Sequence, residues 1–587
     1  MSTENKKAII LAVIGIIALG FLIYGNTLNG IFIWDDEALV QNNEYIRNFS
    51  HLSKMFSRNI AAGSRVETAA YRPLQILSYA FDYNLWHLDP KGYHLTNIIL
   101  HILVGLSLFW LLNMIFDDLF ISFLASILFI VHPLHTAAVA YISGRADCLV
   151  FLWVLFCFIF YLHYLRKPGP APFLLMLLSY AFALLSRENS LIVPVLLLVY
   201  HFSFKKKPAI KPFCSLLALA ILYIILRLSV LSHIMSADHE TVLAQRIPGV
   251  FVAIFNYFKL LILPLALHME YANRVFGFSE PRAILGLLLF SGFLILGFRT
   301  KKNIVSFSIL WFFAALLPLS NIYPINAYMA EHWLYMPSMG FFLILAAGLK
   351  YFYQREKLRI VSILLSFTLL GFWSYLTIKQ NRRWKDPLLI YKQAALSSPD
   401  NWRAYFNLAG AYKNSEQYQK AISLYKKAIG LNPDYADAYN NLGQVYFALG
   451  KNDQALAAYK KALEIDPGLI QAYYNIGVAY LTDKPQEAIK MFKKALEIDP
   501  GYVRAHNNLG AVYYATKRYK EAIASFEKAI ELDPGLVQAY SGLCYVYYRM
   551  GRFDLALEYY KKAKSLGFFD PQIEKAFKNY KWIRQDS

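Results

Sequence analysis

The sequence predicts an all-α protein in two parts, a bundle of membrane-spanning helices followed by a superhelix of short helical repeats. Hydrophobic residues make up 57% of the 587 residues and the mean hydropathy is +0.35, as is typical of an integral membrane protein with a soluble part. About eleven apolar runs of near-spanning length precede residue 379. From residue 402 onward these runs stop and a repeat of 34 residues begins.

The basic residues predict which helix ends face the cytoplasm. Lys and Arg collect in short clusters around Lys6, Arg166, Lys205, Arg299 and Lys350, and these clusters alternate with connections that are not basic. Cytoplasmic loops of membrane proteins are enriched in Lys and Arg, so the pattern predicts a cytoplasmic N-terminus and extracytoplasmic repeats. The formal net charge of +20 therefore does not indicate nucleic-acid binding.

One apolar segment, residues 250–267, does not fit this alternation. The basic cluster at residues 299–302 must be reached by one more crossing, which residues 284–298 can supply. We therefore predict that residues 250–267 form a re-entrant or interfacial segment.

An adjacent carboxylate pair, Asp35 and Asp36, lies just beyond the first apolar run. It belongs to a long outer loop, residues 26–91, whose aromatic segment Tyr71–Trp86 should lie along the membrane surface. Charge at a membrane surface is costly unless it has a partner or a task. The pair can be a solvated loop feature, a helix N-cap or a catalytic group, and its position alone does not decide among these.

Further polar residues are predicted on the same outer side as the aspartates. Singly, each could be a side chain that reaches from a helix end to the interface. Together they suit binding of an anionic phosphate at the lipid surface while a carboxylate takes a proton from a hydroxyl group. These residues are Arg72, His132, His135, Arg145, Arg187, Glu331 and His332.

The sequence does not specify a cofactor or metal. His132 and His135 make a poor zinc site, because Pro133 interrupts helical geometry and no cysteine or further histidine has ligand spacing. The four cysteines are scattered and predict neither a disulfide framework nor a redox site. Phosphate-cradling glycine loops and nucleotide fingerprints are absent from the sequence. A divalent metal stays open.

The C-terminal part is predicted to be an array of tetratricopeptide (TPR) repeats. Its closing prolines are spaced 34, 34, 33 and 34 residues apart, the length of one such helix-turn-helix unit. Residues 379–401 are predicted to be a half-repeat linker, 402–568 five units, and 569–587 a capping helix. The prolines are Pro399, Pro433, Pro467, Pro500 and Pro534.

An asparagine recurs at one place on the first helix of four units. Asn407, Asn441, Asn475 and Asn508 would line the concave face of the superhelix, and Gly542 replaces them in the fifth unit. Such a ladder can hydrogen-bond an extended peptide backbone, because each amide both donates and accepts. The alternative is a repeat-consensus residue with a packing or capping role.

Several segments together resemble a known family. They are WDD in the first outer loop, YRPL, HPLHTAAVAYISGRAD, SREN and AEHWLYMPSMGF. With the TPR units, they resemble the transmembrane and TPR repeat-containing (TMTC) proteins and their bacterial relatives, which are glycosyltransferases of the GT-C class. The resemblance covers nearly the whole chain, with residues 1–378 as the GT-C-like membrane domain.

The resemblance implies transfer of a sugar, typically mannose, from a polyprenyl- or dolichyl-phosphate carrier to Ser or Thr hydroxyls of proteins. It implies that Asp35 or Asp36 is the catalytic acid-base residue, without saying which. The outer arginines, histidines and Glu331 would contact donor or acceptor.

We therefore predict a membrane glycosyltransferase, located in a bacterial inner membrane, that uses a polyprenyl-phosphate hexose and recruits a protein acceptor on the concave TPR face. Its partners would be the lipid donor, the acceptor and membrane lipid, with no nucleic acid. A competing prediction is a non-catalytic, membrane-anchored TPR scaffold for envelope assembly. A transporter is disfavoured, because the polar groups cluster at one surface instead of midway through the helices.

Overall fold

A computed structural model describes residues 3–64, 66, 68–231, 242–265, 267–268, 271, 275–322 and 327–577. The chain forms two compact units, Met1–Pro399 and Asp400–Ser587. Every regular element in these described ranges is a helix, which confirms the predicted all-α class. The boundary between the units falls inside the predicted linker 379–401.

The described residues of the first unit form sixteen α-helices, joined by short turns of 3-10 helix and, at Glu37–Gln41, of π-helix. They are α1 (Thr3–Tyr24), α2 (Leu52–Ser57), α3 (Pro73–Trp86), α4 (Pro90–Phe116), α5 (Leu119–Val131), α6 (Thr136–Val139), α7 (Arg145–Arg166), α8 (Pro170–Ser186), α9 (Val193–Phe204), α10 (Ile210–Val230), α11 (Leu243–Ile262), α12 (Pro281–Arg299), α13 (Asn303–Leu316), α14 (Ser338–Tyr353), α15 (Glu356–Arg383) and α16 (Pro387–Ser397).

Six helical stretches of this unit are long and apolar enough to cross a membrane. Helix α5 and the segment Pro133–Val139 form a bent pair, at 56°, that would make a seventh span. Four shorter apolar helices complete the set, and together these elements match the roughly eleven predicted spans. The long stretches are Glu4–Asn29, Pro90–Phe116, Ile142–Arg166, Ile210–Val230, Pro281–Arg299 and Glu356–Arg383.

Helix α11 contains most of the segment that did not fit the predicted alternation. It is 20 residues long and includes Arg246, Pro248 and Lys259, and it is not among the six stretches suited to crossing a membrane. One face, with Val252, Tyr257 and Leu261, is buried. The re-entrant or interfacial placement of residues 250–267 stays a prediction, and residue 266 lies outside the described ranges.

Helix α5 ends at Val131, with His132 as its C-cap, because residue 133 is a proline, which has no N–H to continue the helix. A helix end inside a membrane protein leaves carbonyl groups that need new donors. The last carbonyl, that of Val131, accepts a hydrogen bond from the Thr377 hydroxyl of α15 at 2.6 Å. The chain then folds back through residues 132–144, all of them buried.

The connections between helices fall into two groups at opposite helix ends. In one group, Lys350 pairs with Asp118, and Arg166 donates to the carbonyl of Met114 at 2.7 Å. These are the predicted cytoplasmic connections, with their basic clusters. The other group holds the outer loop and every candidate site residue of this unit.

Helix α3 covers the outer group and has two different faces. Ile76 and Tyr79 are buried, whereas Phe81, Leu85 and Trp86 are 56%, 66% and 41% exposed. An exposed apolar face beside membrane-spanning helices fits the predicted position of this segment along the membrane surface.

The second unit is a regular series of ten helices in its described residues. They are α17 (Trp402–Asn414), α18 (Tyr418–Leu431), α19 (Ala436–Ala448), α20 (Asn452–Ile465), α21 (Ile470–Ala479), α22 (Pro485–Ile498), α23 (Val503–Ala515), α24 (Tyr519–Leu532), α25 (Val537–Arg549) and α26 (Phe553–Ser565). Consecutive helices pair as the repeat predicts. Residues 571–577 are also helical, with Ile573 and Phe577 buried, whereas residues 578–587 of the predicted capping helix lie outside the described ranges.

Small residues allow the two helices of each repeat to touch. Ala421, Ala455 and Ala488 are fully buried, as the sequence pattern predicts. A Cβ atom at Gly443 would lie 2.5 Å from the Tyr459 ring, so a larger residue there would separate the helices.

Candidate active site

Asp36 is a buried anchor of the outer loop. Its carboxylate accepts hydrogen bonds from the backbone N–H of Ile33 at 3.0 Å, from the backbone N–H of Ser143 at 2.9 Å and from the Ser143 hydroxyl at 2.5 Å. Burial raises the pKa of Asp36 to about 7, although these hydrogen bonds oppose the rise. Asp36 therefore joins the part of the outer loop that carries the two aspartates, called the aspartate loop below, to the turn before α7.

Asp35, by contrast, is exposed. Its backbone N–H donates a hydrogen bond to the Tyr141 hydroxyl at 3.1 Å. Desolvation by the surrounding protein raises the pKa of the Asp35 carboxyl, while a hydrogen bond with Tyr141 and the charge of Arg72 oppose the rise. A carboxylate with a raised pKa that stays accessible is suited to accept a proton.

Three arginines form ion pairs with carboxylates, and the charge of one of them, Arg72, acts on Asp35. The Arg72 guanidinium binds Glu188 through two hydrogen bonds, at 3.1 Å and 3.4 Å, and Arg227 lies 3.7 Å from the same carboxylate. Arg187 forms an ion pair with Asp147. The three guanidinium groups and two carboxylates leave one net positive charge, which favours a bound anion.

His332 belongs to the same electrostatic neighbourhood. Burial lowers its pKa to about 4, with contributions from the charges of Asp147, Arg187 and Arg72. The imidazole is therefore neutral at physiological pH, with one nitrogen that donates and one that accepts a hydrogen bond. It is half-buried, so it can serve a ligand bound next to the arginines.

Glu331 is buried, 4% exposed, and holds a loop in place. It accepts hydrogen bonds from the backbone N–H of His268 at 2.6 Å and from the Tyr271 hydroxyl at 2.7 Å. Burial raises its pKa to about 8. Its carboxyl group therefore joins the segment after α11 to the turn before α14.

Arg145 is fully buried, and its guanidinium is fully engaged. It pairs with Asp82 at 2.5 Å, donates to the Asn97 side-chain oxygen at 2.7 Å and lies over the Tyr79 ring at 4.8 Å. In this structure Arg145 holds α3, α4 and α7 together and does not face the exposed Asp35.

His132 and His135 are also fully buried. His135 Nδ1 lies 2.7 Å from the carbonyl oxygen of Phe129 and Nε2 lies 3.1 Å from the Ser338 hydroxyl. His132 Nε2 lies 3.1 Å from the carbonyl oxygen of Leu261. Both rings thus bond the polar groups that the end of α5 and its neighbours leave free.

The described residues contain no group of three or more His, Cys, Asp or Glu side chains arranged to hold a metal ion. A divalent metal therefore stays open.

Several residues of this site were not singled out by sequence reasoning. Tyr141, Asp147 and Glu188 lie within the motifs quoted above, so those motifs carried a signal for them. Arg227 lies in the apolar helix α10, and Trp384, whose ring stacks on that of Tyr141, follows α15. Neither has a sequence signal, because only the tertiary fold brings them to the outer loop.

The asparagines predicted to bind a peptide are half-buried in the second unit. The Asn475 amide donates to the Asn440 side-chain oxygen at 2.9 Å, and the Asn508 amide donates to the Tyr474 hydroxyl at 3.0 Å. Each bond joins one repeat to the preceding repeat. Asn407 and Asn441 occupy the same positions of their helices, and peptide binding by the four residues stays a prediction.

Comparison with known proteins finds repeat matches in the C-terminal unit. Models of the tetratricopeptide repeat match residues 400–468, 434–501, 503–536 and 537–566, which confirms the predicted TPR array. Among solved structures, MamA is 29% identical, with a TM-score of 0.26, over 27% of this chain and 94% of its own.

The curated relatives match more of the chain. A protein O-mannosyl-transferase of Caenorhabditis elegans is 28% identical over 67% of this chain and 59% of its own length. The human protein O-mannosyl-transferase TMTC3 is 26% identical over 72% of this chain and 51% of its own length. The chain thus spans little more than half the length of these relatives. Its homologues are protein O-mannosyl-transferases of the TMTC type.

Proposed function

We propose that this protein transfers a sugar, mannose or a similar hexose, from a polyprenyl-phosphate carrier to Ser or Thr hydroxyls of extracytoplasmic proteins. The single observation that carries the proposal is the exposed Asp35, on which the charge of Arg72 acts, Arg72 being one member of a net positive arginine cluster. The similarity to protein O-mannosyl-transferases supports the same reaction.

Asp35 is the general base of the proposed reaction. The acceptor hydroxyl oxygen forms a bond to C1 of the sugar while the bond between C1 and the phosphate oxygen breaks. The hydroxyl proton passes to the Asp35 carboxylate, and the electron pair of the broken bond leaves with the lipid phosphate. Since a hydroxyl is a weak nucleophile, removal of its proton in the transition state is worth about 10² to 10⁴ in rate.

The arginine cluster holds the phosphate of the donor. A sugar and a lipid joined through one phosphate carry one negative charge, which the net positive charge of Arg72, Arg187, Arg227, Asp147 and Glu188 can balance. As the sugar leaves, negative charge on the phosphate increases, so the same cations stabilise the transition state more than the ground state.

Asp36 has a different role in this proposal. Its carboxylate accepts three hydrogen bonds from the protein and is fully buried, so it positions the loop that presents Asp35. The sequence left open which aspartate is the base, and burial favours Asp35.

The TPR unit is proposed to recruit the acceptor on its concave face. We also propose that the N-terminus is cytoplasmic and that the aspartate loop and the repeats are extracytoplasmic. Within the first unit, Tyr391 of α16 packs on Trp34 at 5.4 Å, so the chain leaves this unit at the same end that holds Asp35.

The test is sugar transfer by the purified full chain in lipid vesicles, with radiolabelled polyprenyl-phosphate mannose and a Ser/Thr-containing protein acceptor. Asp35→Asn should lower the rate by about 10² or more with an unchanged melting temperature. Asp117→Asn is the matched control, since Asp117 is exposed in the connection between α4 and α5. Wild-type transfer by Asp35→Asn would refute the role of this carboxylate, and absence of transfer by a folded wild type with any lipid donor would favour the scaffold.

A further inference from the structure

The backbone that presents Asp35 is held in an unusual conformation. Trp34 has a φ of 59°, in the left-handed region, which costs a non-glycine residue about 1 kcal/mol or more. Such a conformation persists only where neighbouring contacts hold it. It is followed at once by the Asp35 N–H, which points at the Tyr141 hydroxyl, 3.1 Å away.

The Tyr141 hydroxyl interacts with both the backbone and the side chain of Asp35. It accepts a hydrogen bond from the backbone N–H, which leaves its own proton free to be donated. The Asp35 carboxyl also interacts with the same hydroxyl, and this interaction lowers its pKa against the opposing effect of desolvation. Two other charged groups interact with Asp35. The charge of Arg72 lowers the pKa of Asp35, and the charges of Asp35 and Asp36 repel each other, which raises the pKa of Asp36.

The ring of Tyr141 is fixed by the segment that leaves the membrane unit. It stacks on Trp384 with ring centroids 5.5 Å apart and planes at 15°, and both residues are only 5% exposed. Trp384 lies between α15 and α16. The neighbouring Trp34 contacts Tyr391 of α16, so both aromatic residues next to Asp35 rest on this connecting segment.

We propose that Tyr141, fixed by its stacking on Trp384, is a positioning residue for Asp35, and that the segment leading to the repeats thereby forms part of the wall of the active site. This inference rests on the proposed function, in which Asp35 takes the proton of the acceptor. The hydroxyl of Tyr141 sets the direction of the carboxylate, and the indole of Trp384 sets the direction of the hydroxyl.

Tyr141→Phe tests the inference, because it keeps the stacked ring and removes only the hydroxyl. Loss of a hydrogen bond that stabilises the carboxylate should move the acidic limb of the kcat/KM profile to higher pH by about one unit. Misdirection of the base should lower kcat about tenfold or more. The KM for the lipid donor should not change, since the arginine cluster is intact.

A second variant carries the test if Tyr141→Phe does not accumulate. Trp384→Leu leaves the hydroxyl in place but removes the flat surface that orients it, so we expect the same direction of shift. Tyr83→Phe is the control. Tyr83 lies in α3, and the Arg47 guanidinium lies 4.4 Å from the centre of its ring, a contact that phenylalanine keeps. Its profile should match that of the wild type.

The outcomes separate the inference from the proposed function. If Asp35→Asn is inactive and the two variants shift the acidic limb, the positioning role is supported. If Asp35→Asn is inactive but the profiles of Tyr141→Phe and Trp384→Leu match the wild type, the inference is overturned and the proposed function stands. If Asp35→Asn transfers sugar at the wild-type rate, both are overturned.

Discussion

Replacing Asp36 should make the outer loop easier to open, because its carboxylate bonds two backbone N–H groups and one hydroxyl. Asp36→Ala removes three hydrogen bonds, two of them from backbone N–H groups, those of Ile33 and Ser143. A hydrogen bond to a charged group contributes about 1.5 to 3 kcal/mol, and a buried donor left without a partner costs about 1 to 3 kcal/mol. The two backbone donors left unpaired would together cost about 2 to 6 kcal/mol, so we expect a loss of about 4 kcal/mol in the free energy of opening the loop.

The assay is limited proteolysis or hydrogen exchange of the loop that follows Asp36, in the purified full chain. Ser143→Ala removes one of the three bonds and should cost about 1 to 2 kcal/mol, which makes an ordered series. Glu37→Ala is the control, because Glu37 is an exposed carboxylate next to Asp36. Equal protection of the loop in Asp36→Ala and Glu37→Ala would refute the anchoring role.

Four further expectations follow from the same geometry. The pKa of Asp36 is raised to about 7, so the folded state binds this proton more tightly; in melting curves, stability should fall between pH ~4 and ~7, and Asp36→Asn should abolish that fall. Arg72→Gln should raise the KM for the lipid donor about tenfold, measured by transfer kinetics. Thr377→Val leaves the Val131 carbonyl without its donor and should lower the unfolding free energy by about 1 to 3 kcal/mol. Replacing the four ladder asparagines by Ala should weaken sugar transfer to a protein acceptor but not to a short peptide, measured with the two acceptors in competition. The helical content should stay unchanged.

The parts of the fold that depend on local periodicity could be read from the sequence. The repeat of 34 residues gives the TPR helices, and the small residues Ala421 and Ala455 are buried as the period requires. The apolar runs give the helices of the first unit, because length and hydropathy alone decide them. The break of α5 at His132 follows from the adjacent proline.

The site could be read only in part, because burial depends on tertiary contacts that have no local pattern. Asp35 and Asp36 are neighbours with the same chemistry, and only the approach of Ser143 buries one of them. Arg145 and Arg187 look alike in the sequence. Yet Arg145 is enclosed by three helices, whereas Arg187 pairs with Asp147 near His332.

The histidines show why a polar motif in a membrane protein can have a task other than binding. The end of α5 leaves carbonyl groups in an apolar setting, where each needs a donor. His135 lies 2.7 Å from the carbonyl oxygen of Phe129, and His101 lies 3.2 Å from that of Ile130. The Thr377 hydroxyl lies 2.6 Å from the carbonyl oxygen of Val131. The broken helix can be kept inside the bundle because these side chains satisfy it. The buried turn that follows carries Tyr141 and Ser143 to the aspartate loop, so the motif acts on the proposed base through the backbone it supports.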